Sequence, residues 1–405
     1  MRVSVLTIGN ELLSGKTINT NASWISKKLS LIGASVSSHV TIPDNKNKIT
    51  DTLNLLFKSD IDLIICTGGL GVTDDDITRK VIFDYFGSKE LIDKDYWDAL
   101  NKKFLKLGHL HSDISKSQAV FPDNGTLIPN DIGSARGLIY EKNNITLMVL
   151  PGVPIEMKAM FNSKISSWLE QKIDSKIFQI NIRTTGIPES VLFEKVKNID
   201  IGLEKNSHNV GYYPSLYGVD VRIAGEDLEI IEKLKDHICT NINKYIYEIG
   251  NKNLEEVLIT KLKKKNMTIS CAESCTGGLI GHRLTQVPGG SEVFNGGMIT
   301  YSNESKINQL GITFKNIEDF GAVSEEVALE MAENIKNKFG TSIGVSTTGI
   351  AGPGGGSKSK PVGLVYVGYC DNKSLKVKRF NFSSSRESNK IRTSQAVLNY
   401  VFKII

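Results

Sequence analysis

Short apolar runs alternate with amphipathic stretches along the first 170 or so positions. Val3–Ile8 reads as a strand, Asn21–Leu31 as a helix, Ala34–Ile42 as a strand and Ile49–Phe57 as a helix. Asp62–Cys66 is a nearly continuous apolar run, hence a buried strand, and it ends in Thr67-Gly68-Gly69. Residues 92–107 carry a helical pattern. Ile145–Leu150 is another apolar strand, followed by Pro151-Gly152-Val153-Pro154 and a helix whose first turn suits Pro154. Strands alternating with helices predict parallel βαβ units in a doubly wound sheet.

The pattern changes after about Lys172. Residues 173–250 hold short strands at Phe178–Thr184 and Val219–Ala224 and one long amphipathic helix near Asp227–Tyr247, a small α+β unit. The polar turn Gly250-Asn251-Lys252-Asn253 marks a boundary. From Leu254 a second α/β alternation begins, with strands at Met267–Cys271, Ser342–Ser346, Gly363–Tyr369 and Leu375–Phe382 and a last helix from about Glu387. The chain is therefore read as two three-layer α/β domains, 1–172 and 251–405, joined by a small α+β unit at 173–250.

Composition narrows the function classes. A chain of 405 residues fits two or three domains. With 49 Lys+Arg against 44 Asp+Glu, the net charge of +5 is mild; it leaves room for a few basic patches, but an electrostatic nucleic-acid binder usually shows a stronger, clustered excess. The run Lys263-Lys264-Lys265 closes a helix, where the dipole favours cations. Five cysteines without close, even spacing read as reduced thiols. No signal peptide is expected at the N-terminus, and no apolar run approaches the ~20 residues of a membrane span. The expectation is a cytoplasmic protein that does not enter membranes.

Chemistry gathers where strands should end, the edge at which open α/β sheets bind ligands. Gly68, Gly69 and Gly71, with Thr73, lie in a glycine-rich turn that follows a buried strand and opens a helix. Backbone N–H groups there can approach a phosphate. Asp74, Asp75 and Asp76 make sense beside a phosphate only with a cation between them, and an oxygen-rich site suits Mg²⁺; a turn with acidic N-capping is the plainer alternative. Neither a Walker A nor a GxGxxG motif is present.

In the last domain, Ser270–Gly278 runs from a strand into a helix, a turn that exposes a nucleophile and offers helix N-terminal N–H groups to an oxyanion. Ser274, Cys275 and Thr276 are all possible nucleophiles, although Cys275 reads more simply as a small buried thiol. His282 is the only histidine after residue 250 and falls about two helical turns further on. The alternative base is a desolvated lysine, and Lys306 fits, with Tyr301 able to relay a proton. Taken alone, those two residues would read as a strand end and a surface helix. Thr348–Ser357, followed by Lys360–Gly363, offers many amides and hydroxyls to a phosphate or carboxamide. It is not a P-loop, because Ser357 precedes Lys358 where a P-loop has glycine.

These segments carry a family resemblance. Thr67–Thr78 looks like the loop of molybdopterin-binding domains. Gly9–Gly15, Asn19-Thr20-Asn21 and Pro151–Met157 narrow that to the amino-terminal half of the CinA family. Ala272–Gly278, Gly296-Gly297 with Tyr301 and Lys306, Gly321–Ser324 and Thr348–Gly363 resemble its carboxy-terminal, nicotinamide-nucleotide amidase domain. The middle unit matches the family's KH-like insert most weakly. It has no GxxG loop of the kind with which KH domains clamp nucleotides, so RNA binding is not expected.

The resemblance implies hydrolysis of nicotinamide mononucleotide to nicotinate mononucleotide and ammonia by Ser274, Tyr301 and Lys306, without a cofactor. Thr276, Gly277, Gly278, Thr348, Gly349, Gly352, Gly355, Gly356, Ser357 and Arg386 are implied to bind that substrate. For the first domain it implies metal-dependent cleavage of ADP-ribose, with Gly68, Gly69, Gly71 and Thr73 on substrate and Asp44, Asp75 and Asp76 on a divalent metal such as Mg²⁺. A homodimer is also implied. Asn10 and Asn19 stand where the family usually has Asp, Val72 and Arg136 where it has Pro, and Ser385 where it often has Asp. The competing readings are a regulatory protein of the competence and damage response and a molybdopterin-binding protein.

Overall fold

The computed structural model describes residues 1–106, 113–173, 177–197 and 208–405, with the backbone alone at 113–115. Two compact units emerge, Met1–Phe178 and Gln179–Ile405.

The first unit is built on strands β1 (Arg2–Ile8), β2 (Ser35–Ile42), β3 (Leu63–Thr67), β4 (Glu90–Ile92), β5 (Val120–Pro122), β6 (Thr126–Ile128), β7 (Gly137–Lys142) and β8 (Ile145–Leu150). Six of them form one sheet in the order β2-β1-β3-β8-β7-β6, parallel across β2, β1, β3 and β8 and antiparallel beyond. β3 and β8 are buried along their whole length, as parallel strands covered on both faces must be. Alternate side chains feed two layers. Leu6, Ile64 and Val149 pack with Leu53, Ile82 and Phe83, while Val5, Ile65 and Met148 pack with Ile25, Leu29 and Phe161. The order reverses at β1, since β2 lies on one side of it and β3 on the other. That switch opens a crevice at the carboxyl ends of β1 and β3. The helix predicted over 92–107 runs from Lys94 to Lys106, position 107 lying outside the described residues.

The second unit opens with a four-stranded sheet, β10-β11-β9-β12, from β9 (Phe178–Thr184), β10 (His208–Pro214), β11 (Val219–Gly225) and β12 (Ile246–Ile249). The helix expected to reach Tyr247 ends at Ile242. Ile246–Ile249 pairs antiparallel with β9 instead, and Tyr247 turns into the core. A one-residue irregularity between Ile246 and Glu248 breaks the alternation that would have announced this strand.

The remaining sheet runs β14-β13-β15-β16-β17, from β13 (Ile269–Glu273), β14 (Phe294–Ile299), β15 (Ile343–Gly349), β16 (Leu364–Cys370) and β17 (Leu375–Asn381). β13, β14 and β15 are parallel, and β16 and β17 run antiparallel to their neighbours. β13 begins two residues later than expected, after Asn266 takes a left-handed turn at φ 52°. β15 runs on to Gly349, which puts Thr348 and Gly349 on a strand rather than in a loop. Helices cover both faces: Ile269, Val345 and Val367 pack with Leu258, Leu284 and Leu398, and Ala272 packs with Val327 and Met331. The order reverses again, at β13. None of the described helices is long and apolar enough to cross a membrane.

Candidate active sites

Register brings three distant segments to one edge. Glu273 on β13 lies opposite Ile299 of β14 and Thr347 of β15, so Ser274, Thr300-Tyr301 and Thr348-Gly349 leave the sheet together. A cavity of ≈ 230 Å³ opens there, lined by Ser274, Tyr301, Lys306, Thr348, Arg386 and the glycine-rich segment. It lies where ligands sit in open α/β sheets, outside the carboxyl ends of strands at a switch in their order.

Lys306 lies on a helix, Asn303–Leu310, capped by the Ser302 side chain, which accepts from the Ser305 N–H at 3.0 Å. Its side chain does not run into solvent, as a surface helix would suggest; it is 1% exposed. Nζ lies 3.0 Å from Ser274 Oγ, 2.9 Å from the Thr300 carbonyl and 3.2 Å from the Tyr301 carbonyl. No carboxylate is among these partners. Burial pushes the Lys306 ammonium down from the ordinary lysine range, with Cys275 acting in the other direction. Burial likewise pushes the Cys275 thiol up to about 12, leaving almost no thiolate near neutral pH.

Tyr301 is 58% exposed, and its hydroxyl accepts from Arg386 Nη2 at 2.6 Å. Arg386 also donates from Nη1 to the Gly352 carbonyl at 2.7 Å. The guanidinium thus ties the end of β14 to the glycine-rich turn at the cavity's mouth. In this arrangement Tyr301 orients Arg386; relaying a proton to or from Lys306 would require its hydroxyl to turn away. No carboxylate is among the lining residues, and Arg386 supplies a positive charge at the mouth. The site favours an anion.

The helix N-terminus expected to serve an oxyanion is already taken. The Glu273 carboxylate accepts from the N–H groups of Gly278, Ile280 and Gly281 at 3.0, 3.1 and 2.9 Å. It reaches them because Gly277 and Gly278 turn left-handed, at φ 61° and 93°. Glu273 is 2% exposed, so Glu273→Ala would leave three donors without an acceptor, one of them buried and two partly buried. The expected loss is about 2–4 kcal/mol in a urea titration followed by circular dichroism. A loss below about 1 kcal/mol would mean that water reaches those amides.

Among the other residues implied to bind substrate, Gly349, Gly352 and Gly355 line the cavity, whereas Thr276, Gly277, Gly278, Gly356 and Ser357 do not. Thr276 is buried with its hydroxyl on Thr347, and Ser357 closes a turn by accepting from the Lys360 N–H. Asn303, Ala322 and Val323 also line the cavity; the last two lie in Gly321–Ser324, which carries the family resemblance without an implied site role. The Ala322 carbonyl accepts from the Thr348 hydroxyl, a contact that only the fold reveals.

In the first unit a cavity of ≈ 470 Å³ fills the crevice beyond β1 and β3. Gly68, Gly69, Gly71, Asp44, Asp75 and Asp76 line it; Thr73 does not. Gly68 has φ 115°, and a Cβ there would lie 2.1 Å from the Ile8 carbonyl oxygen, so only glycine lets the two strand ends meet. The loop's carbonyls are taken by protein donors. Gly69 O accepts from the Thr78 N–H, Leu70 O from Arg79 and Gln118, and Gly71 O from Gln118. Trans peptides then turn the following N–H groups the opposite way.

Asp44 accepts from the Asn10 N–H, and Asp76 accepts from the Thr73 N–H and hydroxyl. Burial raises Asp44 above the usual carboxylate range, and Glu11, Asp75 and Asp76 add to the rise. Among the described residues no three such groups are close enough to cage a metal. Mg²⁺ needs no such cage, because it keeps several waters and takes one or two carboxylates plus substrate phosphates. The donor set fits it. Asn19, one of the positions that departs from the family, caps the helix Thr20–Ile32 through the Ala22 N–H and donates to Thr7 Oγ1.

Three family models together span nearly the whole chain. The CinA C-terminal domain matches residues 251–405, the "Probable molybdopterin binding domain" residues 4–171, and the damage-inducible protein CinA KH domain residues 179–248. A "Putative competence-damage inducible protein" of Clostridium acetobutylicum is 38% identical over 407 residues, covering 99% of this chain and 98% of that one. One from Thermoanaerobacter pseudethanolicus is 39% identical with the same coverage. Among solved structures, the competence/damage inducible protein CihA from Agrobacterium tumefaciens is 34% identical, with 38% of this chain and 98% of that one covered and a TM-score of 0.36. The protein CinA from Thermoplasma acidophilum, titled as of unknown function, is 33% identical, with 41% and 96% covered and a TM-score of 0.37. With full-length relatives at this identity and family models on each segment, the chain belongs to the CinA family of competence-damage inducible proteins.

Proposed function

We propose that the last domain hydrolyses nicotinamide mononucleotide to nicotinate mononucleotide and ammonia, with Ser274 as nucleophile and Lys306 as its base. The observation that carries this reading is the surroundings of Lys306 Nζ. A neutral amine has two N–H donors and one lone pair. Nζ lies within donating distance of the two backbone carbonyls and of Ser274 Oγ; once the amine is neutral, its two N–H groups keep the carbonyls and the lone pair turns to Ser274 Oγ. The Ser274 proton then moves to Nζ as Oγ bonds to the carboxamide carbon. Collapse expels the amide nitrogen, which takes the proton from Lys306 and leaves as ammonia. Water attacks the acyl ester and gives a proton to Lys306, which passes it to the departing Ser274 Oγ, so that both residues are restored and nicotinate mononucleotide is released. Arg386 at the cavity's mouth suits the substrate phosphate.

For the first domain we propose cleavage of the ADP-ribose pyrophosphate. The N–H side of the Gly68–Gly71 loop would take phosphate, and Asp44, Asp75 and Asp76 would hold a divalent cation. When bound, such a cation neutralises charge on phosphoryl oxygens. The two reactions should therefore respond differently to chelation. EDTA, or Asp76→Ala, is expected to remove ADP-ribose hydrolysis and leave ammonia release from nicotinamide mononucleotide near its original rate. Both are measured on one preparation. Loss of both reactions in EDTA would contradict the assignment of metal to the first domain alone.

A further inference from the structure

A second, larger cleft lies within Gln179–Ile405, away from the Ser274 cavity and sharing no lining residue with it. Its volume is ≈ 830 Å³, within the range of small-molecule sites. One wall comes from the loop after β9 and the turn between β10 and β11, the other from β17 and the last helix, Arg386–Ile404.

Its chemistry is lopsided. Lys244, Lys378, Arg392 and Lys403 line it, against a single carboxylate, Glu189. Among the described residues none of these four cations makes an ion pair, although the same unit pairs Arg183, Lys233, Lys235, Lys263 and Arg283 with acidic partners. Like charges gathered without counter-ions cost free energy, and an anion in the cleft would offset that cost. The cations are interleaved with rings. Lys378 Nζ is 5.3 Å from the centroid of Phe380 and 5.7 Å from that of Tyr400, and Lys244 and Lys403 lie 4.9 and 6.0 Å from that of Tyr245. Phe380 and Phe382 stack on each other 10° from parallel.

The cleft wall also holds unpaired polar atoms, which are closed off from solvent in this arrangement. Gln395 is 4% exposed and lines the cleft, yet its Nε2 has no hydrogen-bonding partner; nor has Asn399 Oδ1 beside it. Buried amide atoms left unpaired at a cleft wall are uncommon in a finished interior.

We propose that this cleft binds a nucleotide, its phosphates among Lys244, Lys378, Arg392 and Lys403 and its base against the rings of Tyr245, Phe380 and Tyr400. Stacking on aromatic faces tolerates any base, whereas the cations require phosphate. This inference does not depend on either proposed reaction.

The probe is ADP, titrated calorimetrically into the full chain in EDTA and low salt, with inorganic pyrophosphate and adenosine as separate arms. The double variant Lys378→Glu/Lys403→Glu is expected to weaken the ADP site at least 10-fold while ammonia release from nicotinamide mononucleotide, if present in the parent, is unchanged. Phe380→Ala should weaken ADP at least 3-fold and leave pyrophosphate unaffected. Circular dichroism establishes that each variant is folded. ADP binding by the folded double variant equal to that of the parent would overturn the proposal. Equal affinity for ADP and pyrophosphate, with no effect of Phe380→Ala, would reduce the cleft to a general polyanion patch and overturn the nucleotide assignment.

Discussion

Lys306→Arg is expected to lower ammonia release about 10²–10⁴-fold, the range that general acid–base groups contribute. Guanidinium stays protonated under all working conditions, so it can donate to Ser274 Oγ but cannot accept the Ser274 proton. The parent should show the complementary pH behaviour. The active form of Lys306 is the neutral amine, and burial lowers its pKa. Activity should therefore rise with pH and level off through an apparent pKa below the ~10.4 of a free lysine. Because arginine could also disturb packing at so closed a position, the pH profile of the parent is a test that needs no variant. An active Lys306→Arg chain, or a rate that shows no rise with pH anywhere below the free-lysine value, would remove Lys306 from the base role.

The second large effect separates two neighbouring residues. Ser274→Ala should abolish turnover, a loss of at least about 10³-fold, because no covalent path remains. Cys275→Ala should keep most of it. Cys275 is buried in the cavity wall beside Ser274, with its thiol pushed up to about 12, so it is expected to contribute packing and no nucleophile. The reverse outcome, with Ser274→Ala active and Cys275→Ala dead, would move the nucleophile one residue along the turn.

Much of this architecture is legible in the sequence, for physical reasons. The strands β1, β3 and β8 are buried almost throughout and so appear as mainly apolar runs, and glycines mark their carboxyl ends. The turn at Ser274 is local, hence readable. What periodicity cannot supply is convergence. Lys306 looks like any lysine on a short helix until the register of β13 with β14 brings it against Ser274, 32 positions away. Glu273 gives the same lesson. Nothing in its neighbours says that its carboxylate folds forward onto three amides, closing the very helix terminus that the turn seemed to offer. The strand at Ile246–Ile249 was masked by an irregular register beside an amphipathic helix whose pattern runs into it. Thr276 and Ser357 share a motif with cavity residues but are held elsewhere by side-chain hydrogen bonds, which spacing alone does not show.

The most direct test of the central claim is ammonia release from nicotinamide mononucleotide by the purified full chain in EDTA. The account predicts steady release matched by nicotinate mononucleotide, absent in Ser274→Ala and lost below the pH at which Lys306 becomes neutral. A chain that is folded, as judged by circular dichroism, yet releases no ammonia at any pH up to 10 would contradict it.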